Sequence, residues 1–482
     1  MIKGINETLK YLVFLFLLFL FFTACTHWVP RVNRHGLPER EYVYQAPEDI
    51  DDGWKTASLS QEGIDPDKIN EMMHEVLTKN SRNIHSILLI RNGRLVFEEY
   101  FYGYNRNKKH FLASVSKSVT SLIVGLAIDQ GYVPDVDTNA YEFFPNYRGS
   151  KWIDQKYPIT LKHMLTMTAG LDWDAMSHPR SDPRHTTYKM YASSDPIKFV
   201  LNRNLSEIPG QKFYYNSGLT ILIGEVVRGE SGMYIDEFSG KFLFTPFGIS
   251  DYFWDKFPDG TIQTDGGLHL RSRDMAKIGY MMLKNGLWQG KQIVSKAWVE
   301  ESTKTHVDGL GLGYGYQWWR GKAFINSQTI EVLYASGHGG QKIFIIPKFD
   351  LVVVFTSKVF NPKGHSGPEQ LLIKYILPAM TTTGAPYKPI KLDPKLLDKL
   401  TGKYKIKDIE VVVPVFREGD KLYTKTSFWE KVELFSERKN RFYGFSKNIG
   451  DFQVDVVNDE KGDVKQLILH FALRNMQLDK VE

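Results

Sequence analysis

Apolar positions change period along the chain, and each change marks an element. Ile69, Met72, Met73, Val76 and Leu77 fall at helical spacing behind Asp65-Pro66, with the aspartate placed to cap the exposed amides. Two apolar runs follow at 87–90 and 95–100. They are joined through Asn92-Gly93, a pair that tolerates positive φ and so predicts a hairpin. Far downstream, 329–334, 342–346 and 351–356 predict three more strands and 369–377 a closing helix. Antiparallel neighbours pair readily, so the two ends are expected to share one sheet, with a helical middle inserted at its edge. The expectation for 56–380 is therefore α+β: an antiparallel sheet flanked by helices, with an inserted mainly helical subdomain and a cleft between the two. The stretch 381–390, with Gly384, Pro386 and Pro389, reads as a linker, and 391–482 as a small all-β domain of short runs near 411–416, 432–435 and 467–471.

The N-terminal pattern is different. Lys3 and Lys10 precede an unbroken apolar stretch at 11–22, then Thr23, Ala24 and the single cysteine of the chain, Cys25. A spanning helix needs about 20 apolar residues, so this order reads as an export signal over 1–24. Phe22-Thr23-Ala24-Cys25 resembles the bacterial lipobox, although Phe22 stands where leucine is usual. That resemblance implies lipidation at Cys25, a tether over 25–55 and a cell-envelope lipoprotein held at a membrane. One cysteine excludes a disulfide within the chain and a cysteine-centred site in the folded body. The formal charge of +6 comes from 61 basic residues scattered among 55 acidic ones, with no basic run to follow a phosphate backbone, so no nucleic-acid partner is expected. His74-Glu75 lacks a second histidine four residues on, and the glycines at 309, 311, 313 and 315 alternate with Leu310, Leu312, Tyr314 and Tyr316 rather than forming a phosphate cradle. Neither a metal nor another cofactor is expected. The Ser217-Gly218 and Ser231-Gly232 pairs sit in no Gly-x-Ser-x-Gly elbow.

Candidate chemistry starts at Ser114-Val115-Ser116-Lys117. Val119, Leu122, Ile123, Leu126 and Ala127 keep helical spacing behind it until Gln130-Gly131. Residues three apart share a helix face, so the Lys117 amine is placed to reach the Ser114 hydroxyl. The same spacing recurs at Ser436 and Lys439 in a charged stretch, so context must supply specificity. The Ser114 helix is apolar nearly all round and therefore buried. For Lys117 to act as a base near neutral pH it must lose about three units, or about 4 kcal/mol, from its reference value. Burial and the helix N-terminus both work in that direction.

Ala113-Ser114-Val115-Ser116-Lys117-Ser118 resembles the active-site segment of class C β-lactamases, penicillin-binding proteins, related esterases and nylon-oligomer (6-aminohexanoate-dimer) hydrolases. The segment 160–171, Pro209 through Tyr215-Asn216-Ser217, Gly266-Gly267-Leu268 through Lys277, and Tyr334 through Gln341 continue that family's order. The resemblance implies a β-lactamase/transpeptidase-like fold and a Ser114 acyl-enzyme, with Lys117 and Tyr215 as candidates for the base that takes the serine proton. It also implies the backbone amides of Ser114 and Gln341 as oxyanion donors. Asn216, Ser217, His338, Gly339 and Gly340 are then substrate-binding candidates. Two departures matter. His338-Gly339-Gly340 stands where β-lactamases carry a lysine, a small residue and glycine, and Ser217 stands where they carry asparagine, with Asn216 one place early. Both argue against efficient β-lactam turnover.

The expected activity is hydrolysis of a small amide or ester, on a small-molecule or peptide substrate. A D-Ala-type cell-wall peptidase or weak β-lactamase is the alternative within the family. A catalytically silent envelope receptor for peptidoglycan fragments is the alternative outside it.

Overall fold

The computed structural model describes residues 42–78, 83–147, 157–175, 177–179, 181–325, 328–359, 367–380, 389–407, 410–426, 430–446, 450–471 and 473–481. The expected export signal, Cys25 and most of the expected linker lie outside these residues.

Strands β1 (Lys55–Thr56), β2 (Ile84–Arg91) and β3 (Arg94–Tyr100) open the body, followed by β4 (His110–Phe111), β5 (Phe253–Trp254) and β6 (Leu268–Leu270). A small hairpin, β7 (Leu287–Trp288) and β8 (Lys291–Gln292), precedes β9 (Val307–Gly309), β10 (Leu312–Tyr314), β11 (Trp319–Ile325), β12 (Gln328–Gly337), β13 (Gln341–Ile346) and β14 (Leu351–Ser357). The main sheet has nine strands in the order β1-β3-β2-β14-β13-β12-β11-β10-β9. The first hairpin and the last strands do share one sheet: β14 pairs antiparallel with β2, Val353 opposite Leu89. Asn92 (φ 49) and Gly93 (φ 78) make the predicted turn. β2, β13 and β14 read as near-continuous apolar runs because they are covered on both faces.

Helix α1 (Pro66–Thr78) lies at the start, its entry shaped by Asp65, whose carboxylate accepts from the Asp67 amide at 2.9 Å. Helix α2 (Val115–Asp129) is buried from Val115 to Ala127, helix α3 (Thr186–Tyr191) belongs to the insertion, α4 (Ser217–Ser231) runs through its middle, and α5 (Ser272–Leu283) packs on β13 and β14. A Cβ on Gly279 would meet Val352 and Ile343 side chains, which is how α5 comes so close to the sheet.

The tether expected over 25–55 is corrected for its described part. Trp54 is 2% exposed and meets Tyr280 and Trp288 edge-on. The Tyr44 hydroxyl donates to the Val96 carbonyl at 2.9 Å, and β1 pairs in parallel with β3. A few large aromatics in a polar stretch were enough to dock it on the body, a signal too sparse for periodicity to reveal.

The C-terminal unit begins with a helix the sequence reading did not foresee, α6 (Pro394–Leu400), capped by Asp393. Eight strands follow as a closed barrel: β15 (Gly402–Ile406), β16 (Val412–Glu418), β17 (Lys421–Thr424), β18 (Val432–Arg438), β19 (Arg441–Ser446), β20 (Gly450–Asn458), β21 (Val464–Phe471) and β22 (Arg474–Lys480). Closure through β15 and β22 removes the sheet edges, and the barrel has its own apolar core around Tyr404, Leu422, Phe442 and Leu467.

Candidate active site

Ser114 is the N-cap of α2, held by a tight turn. The Leu112 amide donates to the Leu268 carbonyl at 2.9 Å, the Ser116 amide donates to the Ala113 carbonyl at 3.0 Å, and the Ser116 hydroxyl accepts from the Leu268 amide at 3.1 Å. Ala113 sits at φ 47, a left-handed conformation that costs an alanine roughly 1–2 kcal/mol. The strain falls on the residue immediately before the hydroxyl, where surrounding contacts over-determine the turn. A Cβ on Gly337, at the end of β12, would run into the Leu112 carbonyl. Glycine there lets the strand lie against the nucleophile turn.

Lys117 is 1% exposed, and its Nζ lies 3.4 Å from Ser114 Oγ, as the helical spacing predicted. The same ammonium donates to Ser217 Oγ at 3.2 Å and to the Asp265 carbonyl at 2.6 Å, and lies 3.6 Å from Asp265 Oδ2. The second Asp265 oxygen accepts from the Tyr191 hydroxyl at 2.7 Å. Asp265 was not foreseen as a site residue. Asp265 stands 148 residues from Lys117, and its one sequence signal is its place directly before Gly266-Gly267.

Tyr215 arrives on the segment leading into α4. The Lys117 ammonium lies 5.3 Å from its ring centre, and the ring stacks on Trp319 at 6.0 Å. Behind it Phe213, Tyr314 and Trp319 pack edge to face. Burial, with Tyr215 alongside, pushes the Tyr314 phenol well above its ordinary value, so Tyr314 is a neutral wall.

Ser114, Tyr215, Ser217, Ser336, Gly337 and His338 line one cleft of about 360 Å³, together with Ala175, His178, His185, Thr187, Leu310 and Trp319. Ala175, His178, His185 and Thr187 of the insertion thus reach the substrate side. His178 also pairs with Asp174 at 3.0 Å. Ser336 accepts from Lys342, its cross-strand partner, at 2.6 Å.

Four predicted residues stand elsewhere. The Asn216 carboxamide oxygen accepts from the Gly218 and Leu219 amides at 2.8 and 3.3 Å, so Asn216 is the cap of α4 and not a cleft residue. Gly339 and Gly340 form the β12–β13 turn, outside the cleft lining. Gln341 does not line the cleft either. Its side chain donates to the Ser357 and His338 carbonyls and accepts from the Ser357 amide, tying the turn to β14. The strand end that lines the cleft beside Ser114 is Ser336-Gly337-His338, and Gln341 is the cross-strand partner of Gly337. The alternative serine, Ser436, lies in β18 and donates to the Ile390 carbonyl.

A serine and lysine one helical turn apart at the mouth of a cleft, between a mostly antiparallel sheet and a helical insertion, are the arrangement of a β-lactamase/transpeptidase-like fold. Residues 69–374 match the Beta-lactamase family model, and the chain belongs to that family. It is 26% identical over 305 residues to the 6-aminohexanoate-dimer hydrolase of Paenarthrobacter ureafaciens, covering 58% of this chain and 73% of that protein. Among solved structures it resembles a penicillin-binding protein homologue from Caulobacter crescentus (14% identity, TM-score 0.51, 65% of this chain and 97% of that one). It also resembles EstCE1, a hydrolase with promiscuous acyltransferase activity (17% identity, TM-score 0.50, 69% and 100%). These two likenesses show the fold.

Proposed function

We infer that the protein is a serine hydrolase that cleaves a small neutral ester or amide through an acyl-enzyme on Ser114. The observation that carries this reading is the contact between the buried Lys117 ammonium and Ser114 Oγ at 3.4 Å, at a cleft that also admits Tyr215. A serine hydroxyl needs a neighbouring base. The Lys117 ammonium lies against Ser114 Oγ, Ser217 Oγ, the Asp265 carbonyl and the Asp265 carboxylate, and an ammonium has three N–H donors to give such oxygens. That surrounding favours a charged Lys117, and with that ammonium 5.3 Å from its ring, Tyr215 acts in its phenolate form as the group that accepts the serine proton and becomes the neutral phenol. Ser114 Oγ then bonds to the carbonyl carbon, the bond to the alcohol or amine breaks, and the leaving group departs with the proton from Tyr215. Water reverses the sequence to release the acid. The Ser114 amide, together with the backbone at the Gly337-His338 end of β12, supplies donors to the oxyanion.

Among the described residues the cleft lining holds no lysine or arginine, only the imidazoles of His178, His185 and His338, with Lys117 buried behind Ser114. The cleft therefore lacks a dedicated cationic anchor for a substrate carboxylate, which favours neutral esters and amides over β-lactams or peptides with a free C-terminal carboxylate. The 6-aminohexanoate-dimer hydrolase relative supports an amide among the substrates. Residues 1–25 support export and lipidation at Cys25, which would hold the catalytic body at a membrane surface. A fluorophosphonate probe should label the protein, lose its target in Ser114→Ala and keep it in Ser436→Ala, with p-nitrophenyl ester turnover following the same pattern. Labelling that survives Ser114→Ala, or its absence in the native protein together with absent ester and amide turnover, would overturn the assignment in favour of a silent receptor.

A further inference from the structure

The barrel touches the catalytic body at one place that leads directly to the cleft. Strands β9 and β10 form a hairpin, Gly309 opposite Leu312, whose two turn residues Leu310 and Gly311 have φ values of 57 and 76. Leu310, the tip, lines the cleft although it is 49% exposed. A leucine in left-handed backbone costs roughly 1–2 kcal/mol, and half-exposed it recovers little of that by burial. The turn is held from behind. The Asn475 amide at the start of β22 donates to the Gly311 carbonyl at 2.9 Å, and a Cβ on Gly311 would collide with the Asn475 carbonyl.

The β21–β22 turn makes a second attachment. Leu473, itself at φ 70, bridges to Lys322 of β11 and is buried in the core of the catalytic body rather than in the barrel's own. Its carbonyl lies so close to Gly321 that a Cβ there would clash. Gly321 is two residues from Trp319, which stacks on Tyr215 and lines the cleft. The barrel's turn therefore grips the cleft wall at the Leu310 tip and at the strand bearing Trp319.

We propose that the C-terminal barrel is a fixed buttress for the substrate cleft: through Asn475 and Leu473 it sets the position of the Leu310 flap and of Trp319, and so sets the length of apolar acyl group the hydrolase accepts. The proposal rests on the ester-hydrolase reading above. It gives the barrel a role in specificity that needs no partner of its own. Asn475 and Leu473 touch no substrate; they are positioning residues acting through Leu310 and Trp319.

The test uses the full chain and the acetate, butyrate and octanoate esters of p-nitrophenol. Leu310→Ala removes apolar wall and should lower kcat/KM for octanoate relative to acetate about fivefold. Asn475→Pro deletes the amide that serves Gly311 rather than a rung of the barrel ladder, and Leu473→Ser weakens the second grip. Each should shift the octanoate-to-acetate ratio in the same direction through a raised KM for octanoate, with kcat for acetate within about threefold of native. A structural weakening alone would lower both esters together. A ratio unchanged in both Asn475→Pro and Leu473→Ser, in protein that still binds the fluorophosphonate at Ser114, overturns the buttress and leaves the hydrolase reading standing. Native protein without Ser114-dependent turnover overturns both.

Discussion

Lys117 and Lys277 are two buried ammonium groups in one body, 1% and 2% exposed, each on a helix against the main sheet. Each donates to a backbone carbonyl, of Asp265 at 2.6 Å and of Phe247 at 3.1 Å. Each has a carboxylate near, Asp265 at 3.6 Å and Asp274 at 3.7 Å, and an aromatic ring beside it, Tyr215 and Trp288. What separates them is the rest of the surroundings. Lys117 faces two serine hydroxyls and a cleft, whereas Lys277 is sealed beneath Trp288, and its Asp274 partner is also held by Arg271 at 2.7 Å. Burial alone, which lowers the Lys277 pKa and raises that of Asp274, does not make a lysine catalytic. A hydroxyl within reach and access for substrate do.

The comparison breaks most sharply at the two lysines themselves. Lys117→Met should lower kcat/KM by roughly 10³-fold, the scale of a lost acid–base group, while Lys277→Met stays within about threefold. Equal losses would show that general destabilisation governs both. Lys117→Arg keeps the cation but cannot act as a base, so activity at least tenfold above Lys117→Met supports Tyr215 in that role. Matching losses would return it to the lysine.

Stability should show the reverse asymmetry. Asp274→Ala leaves a buried lysine without its carboxylate, a change expected to cost about 3 kcal/mol in urea unfolding. Lys277→Met removes the charge and leaves Asp274 with Arg271, so its cost should be well below that. A similar loss for both would mean that the pair is a net stabiliser.

A buried imidazole pair near the nucleophile strand supplies a charge-free contrast. His85 Nδ1 lies 2.8 Å from His110 Nε2, against the Tyr104 ring. Burial first, then His110, Lys358 and Lys108, pushes His85 down to about 4, and burial also lowers His110. A lowered histidine is neutral in the fold and more readily protonated when unfolded. Its contribution is therefore present above about pH 6.5 and lost as pH falls toward 4. His85→Phe should flatten the fall in unfolding free energy over that window. An unchanged slope would place the acid sensitivity elsewhere.

The smallest effect is expected at the carboxylate beside Lys117. Asp265→Asn removes a negative charge from the proton circuit and should move the acid limb of kcat/KM to lower pH by about one unit. Asp274→Asn should leave that limb where it is, since Lys277 has no part in the reaction.

Local pattern was legible throughout. The i, i+3 placement of Ser114 and Lys117, the Asn92-Gly93 hairpin and the sheet shared by the chain ends follow from periods and turn chemistry that act over a few residues. Even the capping role of Asn216 was available from its place before a helix, but the motif frame drew it toward substrate. A motif fixes order along the chain, while which residue of a strand end faces the nucleophile depends on how the following turn is tied down, here by Gln341 and Ser357.

The sequence by itself determined the neighbouring serine and lysine of the proposed site and the two-part architecture. Only the tertiary structure decided that Asp265 and Tyr191 close around that amine, that Trp319 backs the phenol, and that a barrel turn reaches the cleft wall. The physical reason is distance along the chain. A helical turn brings Ser114 and Lys117 together whatever else the protein does, whereas Asp265 meets Lys117 across 148 residues through the packing of segments that carry no local record of one another.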